Sequence, residues 1–185
     1  MKSPALALVT FLLATLSLFS PGVLAIALAP AEPDLKPWEI TRLSSTSPPN
    51  RPGDGPGIPS RVALKITDRN GYTDPVSVPE ESTCVVEWLY LEDPFGREFN
   101  CTSVEYGKWS ILMVEGDLVG RVSPTTDFRL RIMLVRGGGG GEVYVGEAAF
   151  KVGENMRGLC SAGGMCSFSL KEEMLPFRVL QVRMP

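Results

Sequence analysis

Apolar and polar residues alternate with a period of two along most of the chain beyond residue 37, the pattern of strands that bury one face. Trp38-Glu39-Ile40-Thr41-Arg42-Leu43 begins it, with Trp38, Ile40 and Arg42 on one side. Val62, Leu64 and Ile66 alternate with Arg61, Ala63, Lys65 and Thr67, and the following Asn70-Gly71 favours a tight hairpin turn. Cys84, Val86, Trp88 and Tyr90 are the inward set of the next strand, and Trp109, Ile111 and Met113 of another. Phe128, Leu130, Ile132 and Leu134, alternating with Arg129, Arg131, Met133 and Val135, mark the clearest strand. Glycines 137–141 then lead into Glu142-Val143-Tyr144-Val145, which predicts a hairpin with a flexible tip. Phe177, Val179, Leu180, Val182 and Met184 predict a closing strand, and Ser169 to Leu175 is the one briefly helical stretch. Short strands separated by Gly/Pro turns imply an all-β fold, a compact disulfide-stapled β-barrel or sandwich of short antiparallel strands.

Two segments break the alternation. Ser44 to Ser60 carries five prolines and three glycines, which predicts a long loop. At the N-terminus, Lys2 precedes an apolar run from Ala5 to Phe19, broken by Pro21-Gly22 ahead of the small-residue site Val23-Leu24-Ala25. This is the pattern of a secretory signal peptide over residues 1–25. A spanning helix needs about 20 continuous apolar residues, and Pro21 interrupts the run too early. A flexible leader over 26–37 and a single β domain over 38–185 follow, and the expected location is secreted and extracellular.

Charge and composition narrow the function. Loss of Lys2 with the signal leaves a mildly acidic chain, its 18 basic residues reduced by one against 21 acidic. No block of like charge offers a footprint for nucleic acid or an anionic membrane. Histidine is absent, which removes the usual general base and the commonest metal ligand. Cys84, Cys101, Cys160 and Cys166 are even in number in an exported chain, so two disulfides are expected. Of three possible connectivities, which the sequence does not decide, nearest-neighbour pairing is expected, because each pair then spans a turn-bearing loop. Neither gap suits the two-to-four-residue spacing of zinc ligands. Glycines 137–141 lack the Lys-Ser/Thr pair and helix start of a phosphate loop.

Carboxylates are the remaining catalytic option. Glu87, Glu92, Asp93 and Glu105 lie near Trp88, Tyr90, Phe95 and Tyr106, the ingredients of a sugar cleft, but also of ordinary strand edges and core. No paired motif stands out, so no enzyme activity, cofactor or metal is expected. Asn100-Cys101-Thr102 satisfies the glycosylation sequon, making Asn100 a candidate acceptor.

Several landmarks resemble a group of small secreted fungal proteins typified by the major allergen of Alternaria. They are Trp38-Glu39-Ile40, Phe99-Asn100-Cys101, Trp109, and Leu159-Cys160-Ser161-Ala162-Gly163-Gly164 followed by Cys166. The resemblance implies a compact β-barrel with two internal disulfides, acting as an effector or elicitor on a host protein. The additional cysteine that links two subunits in the best-known members has no counterpart before Trp38, so no covalent dimer is expected. Contact surfaces are expected on loops, first Ser44 to Ser60 and Pro94 to Arg97. A cell-wall carbohydrate-binding module or glycosidase, and a barrel holding an apolar small molecule, are the alternatives.

Overall fold

A computed structural model of the chain describes residues 35–49, 57–70, 80–90, 92–116, 123–137 and 141–185. The expected signal peptide and most of the leader therefore lie outside the described residues. Within them the chain is all-β, with two antiparallel sheets and no α-helix. The strands are β1 (Trp38–Ser47), β2 (Ser60–Thr67), β3 (Glu81–Trp88), β4 (Glu98–Asn100), β5 (Gly107–Glu115) and β6 (Asp127–Arg136). They continue with β7 (Glu142–Lys151), β8 (Met156–Cys160), β9 (Cys166–Leu170), β10 (Phe177–Val179) and β11 (Gln181–Arg183). Glu172–Met174 forms a single 3-10 turn inside the stretch expected to be briefly helical.

The first sheet has the order β3-β2-β1-β9-β8, with β10 beside the first residues of β1; the second has the order β11-β7-β6-β5-β4. Neither order closes on itself, so the architecture is sandwich-like. Alternating side chains from both sheets fill the space between them. Val62, Leu64 and Ile66 of β2 and Val86 of β3 are buried with Ile111 and Met113 of β5 and Phe128, Leu130, Ile132 and Leu134 of β6. Trp38 of the first sheet meets Trp109 of the second edge to face at 4.8 Å, a favoured aromatic geometry that joins the layers. Gly146 leaves room for this contact. A Cβ there would stand 2.7 Å from the Leu180 carbonyl oxygen and 3.1 Å from the Trp38 ring.

Cys84 and Cys101 form one bridge and Cys160 and Cys166 the other. The first ties β3, an edge of the first sheet, to the segment joining β4 and β5 of the second. The second joins directly opposed residues of β8 and β9.

Four expectations from the alternation are corrected. Arg42 faces outward, because a bulge between Ile40 and Arg42 shifts the phase and turns Leu43 and Ser45 inward. The loop expected from Ser44 to Ser60 begins later, since β1 continues to Ser47. Polar composition is overridden there by pairing with β2 and β9 and by Ser45 Oγ, which donates to the Thr125 carbonyl at 2.6 Å. Residues 50–56 of that loop lie outside the described residues. Tyr90 is 53% exposed, because pairing of β3 with β2 ends at Trp88. The tight turn expected at Asn70-Gly71 does not join β2 to β3 directly, since β2 ends at Thr67 and β3 begins at Glu81, and Gly71 itself lies outside the described residues. Asn70 instead donates its N–H and side-chain amide to Asp68 Oδ1, and binds Lys36 through its own Oδ1.

The C-terminal segment is two short strands. Phe177–Val179 pairs with β1, then the chain changes sheets at Leu180 and Gln181–Arg183 pairs with β7. The β6–β7 hairpin aligns Arg136 with Glu142 around the glycine run, of which 138–140 lie outside the described residues.

Candidate interaction surfaces

The four singled-out carboxylates do not converge on one site. Glu87 pairs with Arg61 at 3.4 Å on the outer face of the first sheet. Glu92 accepts the Leu89 N–H at 2.8 Å and Asp93 the Phe95 N–H at 2.9 Å, so both shape the turn after β3. Glu105 donates its backbone N–H to Glu80 Oε2 at 2.8 Å. Among the described residues no group of three or more His, Cys, Asp or Glu is placed to hold a metal ion. Of the nearby aromatics, Trp88 is buried, and Phe95 and Tyr106 pack against the core. Tyr106 also receives the indole N–H of Trp109 on its hydroxyl at 3.2 Å.

Two ionisable groups depart from their ordinary behaviour. The Glu81 carboxyl is held below the usual range, first by the Lys65 ammonium donating to it and next by the Thr41 hydroxyl. The Tyr144 hydroxyl is raised, chiefly because it donates to Glu142 Oε2 at 2.6 Å, with burial adding to this. Both shifts follow from local ion and hydrogen-bond pairing.

The expected loop surface Pro94 to Arg97 is partly committed to the fold. Pro94 is buried, Phe95 packs against the core, the Gly96 N–H donates to the Met113 carbonyl at 2.9 Å, and Arg97 stands over the Phe99 ring at 5.4 Å. Asn100 is exposed at the end of β4, opposite Ser110. Thr102, the third sequon residue, accepts the Thr83 N–H on its hydroxyl at 2.8 Å.

The feature that separates the two layers is the chemistry of their outer faces. Outward positions of β1, β2 and β3 are polar except for Ala63 and Val85, β9 adds Ser167 and Ser169, and the edge strand β8 adds Arg157 and one exposed apolar side chain, Leu159. Such a face is the norm for an antiparallel sheet with water on one side. The second sheet differs. Cross-strand registry places Met133, Val145 and Val182 in one outward row, with Val135 and Val143 in the next. Leu180 is 79%, Val182 60%, Met184 47% and Val135 37% exposed. A shallow depression of about 520 Å³ lies among Met133, Val145, Leu180, Val182 and Met184, bordered by the Arg131–Glu147 ion pair at 2.7 Å. Asn100 lies on this same face but four strand spacings from β11, about 19 Å at the usual interstrand distance.

The loop-first expectation missed this surface because it resides on strands. A trace was present in the sequence: Met133 and Val135 occupy the polar side of an otherwise regular alternation.

Comparison with known proteins finds no family model, no curated protein and no solved structure that matches the chain. Among the described residues no helix is long and apolar enough to cross a membrane.

Proposed function

We propose that this chain is a secreted, non-catalytic binding protein that docks a protein partner on the outer face of its second sheet. The observation that carries the reading is the apolar group in which exposed Leu180, Val182 and Met184 adjoin half-buried Met133 and Val145. Contiguous apolar patches rimmed by polar residues mark sites of association on folded domains. The Arg131–Glu147 pair at its border supplies the polar rim. The face fits a partner that presents apolar side chains of its own, with charged groups at the periphery to meet that pair.

Export and an extracellular site of action rest on the N-terminal pattern and agree with two internal disulfides. Action on a host protein, as an effector or elicitor, is what the resemblance to the secreted fungal group adds. A sugar cleft around Glu87, Glu92, Asp93 and Glu105 is the weaker reading, since these carboxylates do not converge and, of the aromatics beside them, Trp88, Phe95 and Tyr106 serve the core, leaving Tyr90 exposed. An apolar ligand inside the fold has little support, because aromatic and aliphatic side chains occupy the space between the sheets.

The test is affinity capture from host extract with the wild type, Met133→Lys on the apolar face, and Ser167→Lys on the polar face. All three must first show the same thermal transition. A partner retained by the wild type and by Ser167→Lys but lost with Met133→Lys supports the proposal. Equal retention by all three, or loss with Ser167→Lys alone, overturns it.

A further inference from the structure

The polar face of the first sheet carries a separate feature, created by the bulge in β1. With the phase shifted after Ile40, Arg42 points outward and stands directly opposite Lys65 of β2. Two cations opposed across neighbouring strands repel one another, so the arrangement works against the stability of the sheet. Lys65 is compensated by Glu81 at 2.6 Å, and Arg61, further along the same face of β2, by Glu87 at 3.4 Å. Arg42 has no carboxylate partner among the described residues. Three cations against two carboxylates leave one positive charge, and it resides on Arg42.

The surface at this point is concave. Ala63 is the short side chain between Arg61 and Lys65 on β2, directly opposite Ser44. Longer neighbours rise around it and enclose a depression of about 240 Å³ lined by Arg42, Ser44, Arg61, Ala63, Lys65 and Thr83. The hydroxyls of Ser44 and Thr83 take part in no hydrogen bond among the described residues. Glu81 is held on Lys65 and on the Thr41 hydroxyl at 2.6 Å, which keeps it from turning to Arg42. A hollow of this volume has space for a single sugar ring. Its lining offers one unmatched cation and two free hydroxyls.

We infer that this depression binds an acidic sugar unit, a hydroxylated ring bearing one negative charge, with Arg42 pairing the charge and Ser44 and Thr83 meeting ring hydroxyls. A planar guanidinium pairs equally well with a carboxylate or with a sulfate ester, so the same chemistry serves a uronate or a sulfated sugar. This site is independent of the docking face on the second sheet. It stands if that reading fails.

The test is a titration of the full mature chain followed by backbone amide chemical shifts. The probes are glucuronate, glucose 6-sulfate, glucose and acetate. Saturable shifts at residues 42–44, 63–65 and 83, with a dissociation constant in the low-millimolar range or tighter, are expected for at least one acidic sugar and not for glucose. Saturation by glucuronate alone identifies the carboxylate source and by glucose 6-sulfate alone the sulfate source. Arg42→Gln is expected to weaken binding about tenfold, the scale of one charge-assisted hydrogen bond. Ala63→Leu fills the hollow without changing charge and is expected to weaken it as well, while Lys108→Gln, exposed on β5 of the other sheet, leaves it unchanged. Thermal melts of each variant confirm folding. Absence of saturable shifts with both acidic sugars, acetate binding as tightly as glucuronate, or indifference to both Arg42→Gln and Ala63→Leu would overturn the inference.

Discussion

The ion pair between Asp68 and Arg136 is the most deeply buried among the described residues, and Asp68→Asn tests its weight. The Asp68 side chain is fully buried, and the Arg136 side chain is 17% exposed. The carboxylate receives the Arg136 guanidinium on Oδ2 and two donors of Asn70 on Oδ1, at 2.8 and 2.6 Å. Arg136 also lies over the Tyr144 ring at 4.7 Å, while its Nε finds no hydrogen-bond acceptor. Replacing the carboxylate by an amide keeps the volume but leaves the guanidinium without a counter-charge. Breaking one side of a buried pair costs about 3–5 kcal/mol. The residual exposure of Arg136 places the expected loss near the lower end, about 3 kcal/mol, or roughly 6–12 °C in melting temperature for a domain of this size. Arg136→Met in the same background removes the stranded cation and is expected to recover part of the loss, a coupling of about 1–3 kcal/mol. Urea unfolding followed by fluorescence of the buried Trp38, Trp88 and Trp109 reads all four corners of the cycle. A loss below about 1 kcal/mol for Asp68→Asn, or strictly additive effects, would refute the reasoning.

Three further outcomes follow from the same structure. Removing Cys84–Cys101, which spans 17 residues, is expected to cost about 3 kcal/mol. Removing Cys160–Cys166, which spans 6, should cost about 2 kcal/mol, with the order checked by urea unfolding of the paired serine variants. Glu81 has its pKa lowered in the folded chain by Lys65 and Thr41, so its contribution is full above the ordinary carboxylate range and disappears as pH falls through the lowered value. Melting temperature against pH should therefore lose part of its acid slope in Glu81→Gln; an unchanged slope would show that the pairing carries no stability. Gly146→Ala drives a Cβ to 2.7 Å from the Leu180 carbonyl and into the Trp38 ring, an overpacking expected to cost about 1–3 kcal/mol by thermal melt.

Much of the sandwich was legible because period-two alternation reports burial directly. Phe128, Leu130, Ile132 and Leu134 form one side of the clearest alternation, and all four are fully buried. Errors occurred where a strand changes phase or partner. Arg42 was misplaced because a bulge inserts one residue without any Gly or Pro to announce it. Phe177 and Val179 join Leu180, Val182 and Met184 in one expected closing strand, although the break of phase at Val179-Leu180 marks where the chain leaves one sheet for the other. The apolar outer face was hidden for a different reason. Met133 and Val135 look like isolated departures from alternation, and only the registry of β6, β7 and β11 joins them with Val143, Val145 and Val182 into one surface. The hollow over Ala63 likewise exists only through pairing, since Arg42 and Lys65 lie 23 positions apart in sequence and directly opposed in the sheet.

Hydroxyl-radical footprinting of the chain, alone and with the partner captured from host extract, tests the central claim most directly, because it reports solvent access side chain by side chain. Docking on the second sheet predicts that Met133, Leu180 and Met184 lose labelling in the complex, while Leu159 of β8 and Met174 of the 3-10 turn, both exposed, keep theirs. Protection confined to Leu159 and Met174, with Met133, Leu180 and Met184 labelled as in the free chain, would contradict it.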